Sequence, residues 1–141
     1  KVYAVDVRHE QLHPIVRALP QVVALEGVNV KDLTPAQIPE PVEVVVCDIS
    51  FVSIAKVLAP PLALCRPGAD AVALIKPQFE VGREHVGKGG IVSDGAAIAD
   101  AEAGIVRFMA AEGWTHRASL PSPIAGGDGN KEIVALFTRT L

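Results

Sequence analysis

The stretch VEVVVCD, Val42 to Asp48, decides the fold class. Apart from Glu43, every residue from Val42 to Cys47 is apolar, and the run then stops on a carboxylate. A short, almost continuously apolar run predicts a central strand buried on both faces, as in a parallel sheet covered by helices.

Upstream, Val2–Asp6 is a second short apolar run ending in a carboxylate, and it reads as a strand. Leu12, Ile15, Val16 and Leu19 recur at i, i+3, i+4 and i+7, the spacing of one helix face. Pro14 fits that helix only in its first turn, where a missing N–H costs nothing. Val22–Leu25 reads as another strand, and Thr34–Pro35 as an N-cap opening a short helical turn.

Downstream, Ser53–Cys65 is mostly apolar and predicts a helix with Pro60 and Pro61 in its middle, followed by a turn at Pro67–Gly68. Ala71–Ile75 predicts a buried strand that ends in Lys76–Pro77. Gln78–Val92 is a long loop rich in glycine and charge, which favours a functional segment. Ser93 or Asp94 caps the next helix, whose inner face is Ile98, Ala101, Ile105 and Phe108 and whose end is Gly113. Thr115–Leu120 and Glu132–Thr138 close the chain as two strands able to pair antiparallel around a Pro/Gly-rich connector.

Strands alternating with helices predict an α/β fold with a doubly wound, mostly parallel sheet and an antiparallel C-terminal strand. No internal repeat or linker is visible, so residues 1–141 read as a single domain. Half of the 141 residues are apolar and 21% are charged, a balance that excludes disorder. Aromatics are only 4%, and Val, Ala, Leu and Ile supply the rest of the apolar content, which suits parallel strands under helices.

The net charge of −3, from 13 basic and 16 acidic residues, does not suit a free-standing RNA binder. No apolar run approaches the roughly 20 residues that span a bilayer. Cys47 and Cys65 form no CxxC pair and read as buried reduced thiols, as in a cytosolic protein. His9 and His13 have i, i+4 spacing but no third ligand, so no metal site is expected.

Ligands of such sheets bind at the carboxyl ends of the strands. Asp6, Asp48 and Lys76 stand at those ends, where solvated polar residues also occur as a matter of course. A carboxylate placed like Asp6 can accept hydrogen bonds from both ribose hydroxyls of a nucleotide, or simply end its strand. A Lys beside an Asp at a buried strand end can have an altered proton affinity, although a snorkelling Lys is the commoner case. Glu132 joins Lys76 only if the last strand enters the same sheet. GREHVGKG, Gly82 to Gly89, approaches the phosphate loop GxxxxGK[ST] but ends in Gly, so the hydroxyl that holds magnesium is missing. That leaves a basic loop near a substrate phosphate or an inert surface loop.

Taken in order, YAVDV (3–7), DISF (48–51), ALIKPQFE (73–80), GRE (82–84), VGKGGIV (86–92), Ser122–Pro123 and the Gly129–Glu132 segment resemble the TlyA family. The resemblance covers nearly the whole chain, and the IKPQFE…GRE…VGKGG run is its specific part. Members combine a haemolysin-like label with an FtsJ-type RNA ribose methyltransferase domain. The resemblance therefore implies a class I, Rossmann-like methyltransferase fold, S-adenosylmethionine as cofactor, and a ribose 2′-OH of ribosomal RNA as acceptor, in the cytoplasm.

The resemblance further implies that Asp48, Lys76 and Glu132 are three members of a Lys-Asp-Lys-Glu catalytic tetrad. Asp6, Val7, Asn29 and Asp48 would hold the cofactor, and Arg83 and Lys88 the RNA. The family's first tetrad Lys, its Gly-rich cofactor loop and its S4 RNA-binding domain lie upstream of the matching residues. This stretch alone is thus expected to lack the first strand of the sheet and to be inactive. The strands ending in Asp6 and Asp48 would then have open edges, with a rearranged, swapped or oligomeric sheet or lost cofactor binding as the result. Two other readings are a membrane-lytic protein and a non-catalytic RNA- or partner-binding domain. The first lacks a basic amphipathic helix with an aromatic face, and the joint presence of Asp48, Lys76 and Glu132 argues against the second.

Overall fold

The computed structural model describes all residues, Lys1 to Leu141. Six strands and four α-helices follow in the order β1 (Val2–Asp6), α1 (Pro14–Arg17), β2 (Val22–Glu26), β3 (Val42–Cys47), α2 (Ile54–Val57), α3 (Ala59–Ala63), β4 (Cys65–Ile75), α4 (Gly95–Ala111), β5 (Trp114–Pro121) and β6 (Ile133–Arg139). The alternation is the expected one.

The strands form two sheets, β1-β2 and β3-β4-β6-β5. β1 pairs with β2, and β3 with β4, in parallel, while β6 is antiparallel to both of its neighbours. No ladder joins β1 to β3, and the sheet is divided at that point, between the two strands whose edges were expected to be open. The connector between β2 and β3 ties the parts together. Its 3-10 turn Val30–Asp32 packs on α2 and α3, and its Glu40 accepts hydrogen bonds from Lys1 and Tyr3 of the first strand region.

The core lies on one face of the larger sheet. Cys47, Ala71, Ala73, Ile75, Ala135 and Phe137 point there and meet Ile54, Leu58 and Leu62 of the α2–α3 region, Ile105 and Met109 of α4, and Trp114. Alanines at the sheet centre leave room for helices to approach closely. The opposite face carries Val44, Val46, Leu120 and Leu136, and Val46 is 77% exposed. Val42–Cys47 is therefore buried on one face only, with Val45 and Cys47 inward. An apolar run does not reveal whether helices cover one face or two, because side chains alternate whatever their type.

Three local expectations change. The Pro67–Gly68 turn is absorbed into β4: Val42 pairs with Cys65 and Val44 with Asp70, so the intervening residues of β4 bulge out, with Gly68 at φ +79°. The Ser53–Cys65 helix is broken in two at Leu58, because Pro60 and Pro61 donate no backbone N–H. The Leu12–Leu19 helix shrinks to one turn, and Ile15 and Leu19 are exposed, so that stripe is not a core face.

The later elements are closer to expectation. Asp94 caps α4 by accepting from the N–H groups of Ala96 and Ala97. The buried stripe of α4 is Ala97, Ile105 and Met109, while Ile98, Ala101 and Phe108 are half-buried, so the face is turned by about one residue. Thr34 opens a turn, its carbonyl accepting from the N–H groups of Gln37 and Ile38, without a helix behind it.

Candidate active site

β3 and β4 are parallel neighbours, so the residues that follow them emerge side by side. Asp48 follows β3 and Lys76 follows β4. The Lys76 ammonium lies 2.6 Å from Asp48 Oδ1 and donates to Ser50 Oγ at 2.9 Å. The Lys76 side chain is 13% exposed and that of Asp48 is 71% exposed. Lys76 thus reaches from a nearly closed stem to a carboxylate in water. A Lys ammonium has three N–H donors. Two are engaged here, which leaves one for the space in front of it.

That space is a cavity of about 430 Å³ lined by Ser50, Phe51, Lys76, Gln78, Gly90, Asp128 and Glu132, among others. Glu132 arrives through the antiparallel ladder: Ile75 pairs with Ile133, so the residue before β6 comes to the level of the residue after β4. The condition set for Glu132 by its sequence is met. Its carboxylate is buried, accepts from Gln78 Nε2 at 3.3 Å, and makes no ion pair with Lys76. A Cβ on Gly126 would stand 2.5 Å from Glu132 Oε2, so any other residue there would displace that carboxylate.

Asp6 and Asn29 stand elsewhere. Asp6 ends β1 in the two-stranded sheet, where its Oδ1 accepts from the backbone N–H of Arg8 at 2.9 Å and lies 3.5 Å from Arg8 Nε. Val7 beside it is exposed. Asn29 Oδ1 caps the Val30–Asp32 turn by accepting from Lys31 N–H. Neither residue bonds to Asp48 or Lys76. Arg83 and Lys88 are exposed on the 3-10 turns Arg83–His85 and Lys88–Gly90 of the long loop.

Sequence reasoning passed over five residues that shape the site. Ser50 and Gln78 bond to Lys76 and Glu132 as described. Glu80 accepts from Ser53 Oγ at 2.6 Å and from Ile54 N–H at 2.9 Å, fastening the loop after β4 to the loop after β3. Burial pushes the Glu80 carboxyl above its ordinary value, against those two hydrogen bonds. Asp128 accepts from Asn130 N–H, which holds its carboxyl below its ordinary value. Asn130 is buried and bonds back to the long loop. All but Ser53, Ile54 and Asp128 fall inside the stretches that carry the resemblance, but a polar residue in a motif does not announce its partner.

Phe51 is 88% exposed at the cavity rim, has a left-handed backbone at φ +68°, and tilts against Phe79 with ring centres 5.2 Å apart. A non-glycine residue in that region stores strain and marks a constrained position.

The profile of the FtsJ-like methyltransferases matches residues 1–139. The chain belongs to the FtsJ-like methyltransferase family. Its relatives include YqxC of Bacillus subtilis, a candidate rRNA methyltransferase 44% identical over 94% of this chain and 47% of that protein. The 16S/23S rRNA (cytidine-2′-O)-methyltransferase TlyA of Mycobacterium tuberculosis is 41% identical over 99% of this chain and 52% of that protein. A solved structure described as a candidate hemolysin from Streptococcus thermophilus superposes with a TM-score of 0.93 at 32% identity, over 98% of this chain and 50% of that one. The chain spans about half the length of the relatives it matches. No helix is long and apolar enough to cross a membrane.

Proposed function

We propose that the polypeptide carrying this chain transfers a methyl group from S-adenosylmethionine to a ribose 2′-OH of ribosomal RNA in the cytoplasm. Residues 1–141 are read as one methyltransferase domain, beside the cofactor loop and S4 domain that the resemblance implies. The observation that carries the reading is one cavity lined by Ser50 and Lys76, which follow the parallel strands β3 and β4, and by Glu132, which precedes the antiparallel β6, with Asp48 paired to Lys76 beside it.

The residues present fit part of a cofactor site. One oxygen of Asp6 is held by Arg8, and the other is available to ribose hydroxyls. Asp48 stands at the end of β3, in the other sheet, with most of its carboxylate in water. When bound, the cofactor supplies an electrophilic methyl group on a positively charged sulfur. The chain's own residues act on the other reactant. The ribose hydroxyl that would take the methyl group has to give up its proton, so its oxygen and that proton are what these residues would handle. The free N–H of Lys76 polarises that oxygen, with Asp48 and Ser50 holding the ammonium in place. Glu132, kept in position by Gln78, is the acceptor within the cavity for the departing proton or for a neighbouring hydroxyl. Arg83 and Lys88, exposed on the long loop, offer phosphate contacts.

The test is transfer of radiolabelled methyl from S-adenosylmethionine to ribosomal RNA by the full-length polypeptide, followed by nucleoside analysis. A 2′-O-methylated nucleoside is expected. Label found only on bases, or none on RNA, overturns the reading.

A further inference from the structure

We infer that Asn130 is a positioning residue that holds the Gly87–Val92 turn, with Lys88 on it, against the Lys76–Glu132 cavity, so that it governs how RNA is bound rather than how the methyl group moves. This inference rests on the function proposed above.

Asn130 is 1% exposed, an uncommon burial for an amide. Such a side chain is costly unless both ends of the amide are bonded. Both are. Oδ1 accepts from Val92 N–H at 2.9 Å, and Nδ2 donates to the Gly90 carbonyl at 2.9 Å. One side chain therefore grips the backbone on either side of Ile91. The Ile91 carbonyl in turn accepts from Gly87 N–H at 2.8 Å, which closes the turn on itself. Fixing Ile91 fixes the whole turn.

Asn130 is the residue outside the loop that hydrogen-bonds the turn, whose other anchor is the buried Val92 side chain. Gly89 and Gly90 have φ near +74° and +79°, and a Cβ on either would meet no atom within 4 Å. Asn130, by contrast, is anchored. Its N–H donates to Asp128 Oδ1 at 3.0 Å, and its carbonyl accepts from Gly126 N–H at 2.9 Å. Two residues later Glu132 reaches the cavity, and β6 begins its ladder with β4. Gly90 itself lines the cavity. The amide thus refers the basic turn to the same pair of strands that sets Lys76 opposite Glu132. Asp at this position keeps the acceptor and loses the donor, and Ala loses both.

The experiment compares the full-length polypeptide with its Asn130→Asp and Asn130→Ala variants. Three quantities are measured: methyl-transfer kinetics, dissociation of deproteinised ribosomal RNA, and amide exchange over residues 87–92. The expected result is weaker RNA binding and a raised KM for RNA by about tenfold, the equivalent of one lost buried hydrogen bond. Exchange at 87–92 accelerates, while kcat at saturating RNA, the KM for S-adenosylmethionine and protection of β4 and β6 are kept. Unchanged exchange at 87–92, or a fall in kcat with RNA affinity intact, overturns it. If the unsubstituted protein transfers no methyl group to RNA, the functional reading falls by itself. RNA dissociation and exchange then still decide the role of Asn130.

Discussion

Glu132 faces Lys76 because β6 runs antiparallel to β4 with Ile133 opposite Ile75. The two residues come from opposite ends of their strands and share one cavity without forming an ion pair. The partner that Lys76 does hold is Asp48. Lys76→Ala is expected to lower kcat by about 10²–10³-fold, the range for removing one positioned electrostatic donor. Its melting temperature should stay near that of the parent, since Asp48, the ion-pair partner left behind, is mostly in water. Retained activity in a methyl-transfer assay would remove Lys76 from the mechanism.

Ser50 takes one N–H of Lys76 at 2.9 Å. Without it the ammonium swings toward Asp48 alone. Ser50→Ala should lower kcat about tenfold, the scale of one charge-assisted hydrogen bond. The KM for RNA should be unaltered. Steady-state kinetics with RNA varied distinguish this from a binding role, which would raise KM instead.

Phe51 is an exposed aromatic ring held beside Phe79 at the cavity mouth, and RNA-binding proteins stack unpaired bases on such rings. Phe51→Ala should cost about 1–3 kcal/mol of RNA affinity. Its thermal stability should change little, because the ring is mostly in water. Unaltered RNA affinity in a titration would assign Phe51 to local packing.

Glu80 makes a pH-dependent contribution. Burial raises its carboxyl above the ordinary 4.5, so the folded chain holds that proton more tightly than the unfolded chain. The stability this confers is complete below 4.5 and is lost as pH rises through the raised folded value. Thermal unfolding of the parent and of Glu80→Gln between pH 4 and 7.5 should show the parent losing ground to the variant as pH increases. A constant difference across that range would contradict the assignment.

Burial pushes the Cys47 and Cys65 thiols up to about 11. At pH 8 the thiolate fraction is on the order of 10⁻³. Iodoacetamide should leave both unlabelled in the native chain and label both in guanidinium chloride. Rapid native labelling of either would show that its surroundings open.

The strands and their order were legible because apolar runs bounded by Asp6, Asp48 and Lys76 have few alternatives. Burial was less legible. Val46 and Cys47 are both apolar, yet one faces water and the other the core, a distinction set by which face the helices cover. Gly68 read as a turn because glycine permits both a turn and a bulge, and only pairing with β3 decides between them. In the site, the charged residues at strand ends were found, while the loop carboxylates Glu80 and Asp128 and the neutral neighbours were not. Ser50, Gln78 and Asn130 act through distances of 26, 54 and about 40 residues along the chain, and no local pattern encodes those separations.

Within residues 1–141, no ladder ties β1 to β3. Asp6 is mounted on one sheet, and Asp48 with Lys76 on the other. A ligand that grips Asp6 and Asp48 together would act as a rivet across the seam. Its affinity and the rigidity of the chain would then be two readings of the same event, and saturation with it should appear as a rise in melting temperature as well as in bound ligand.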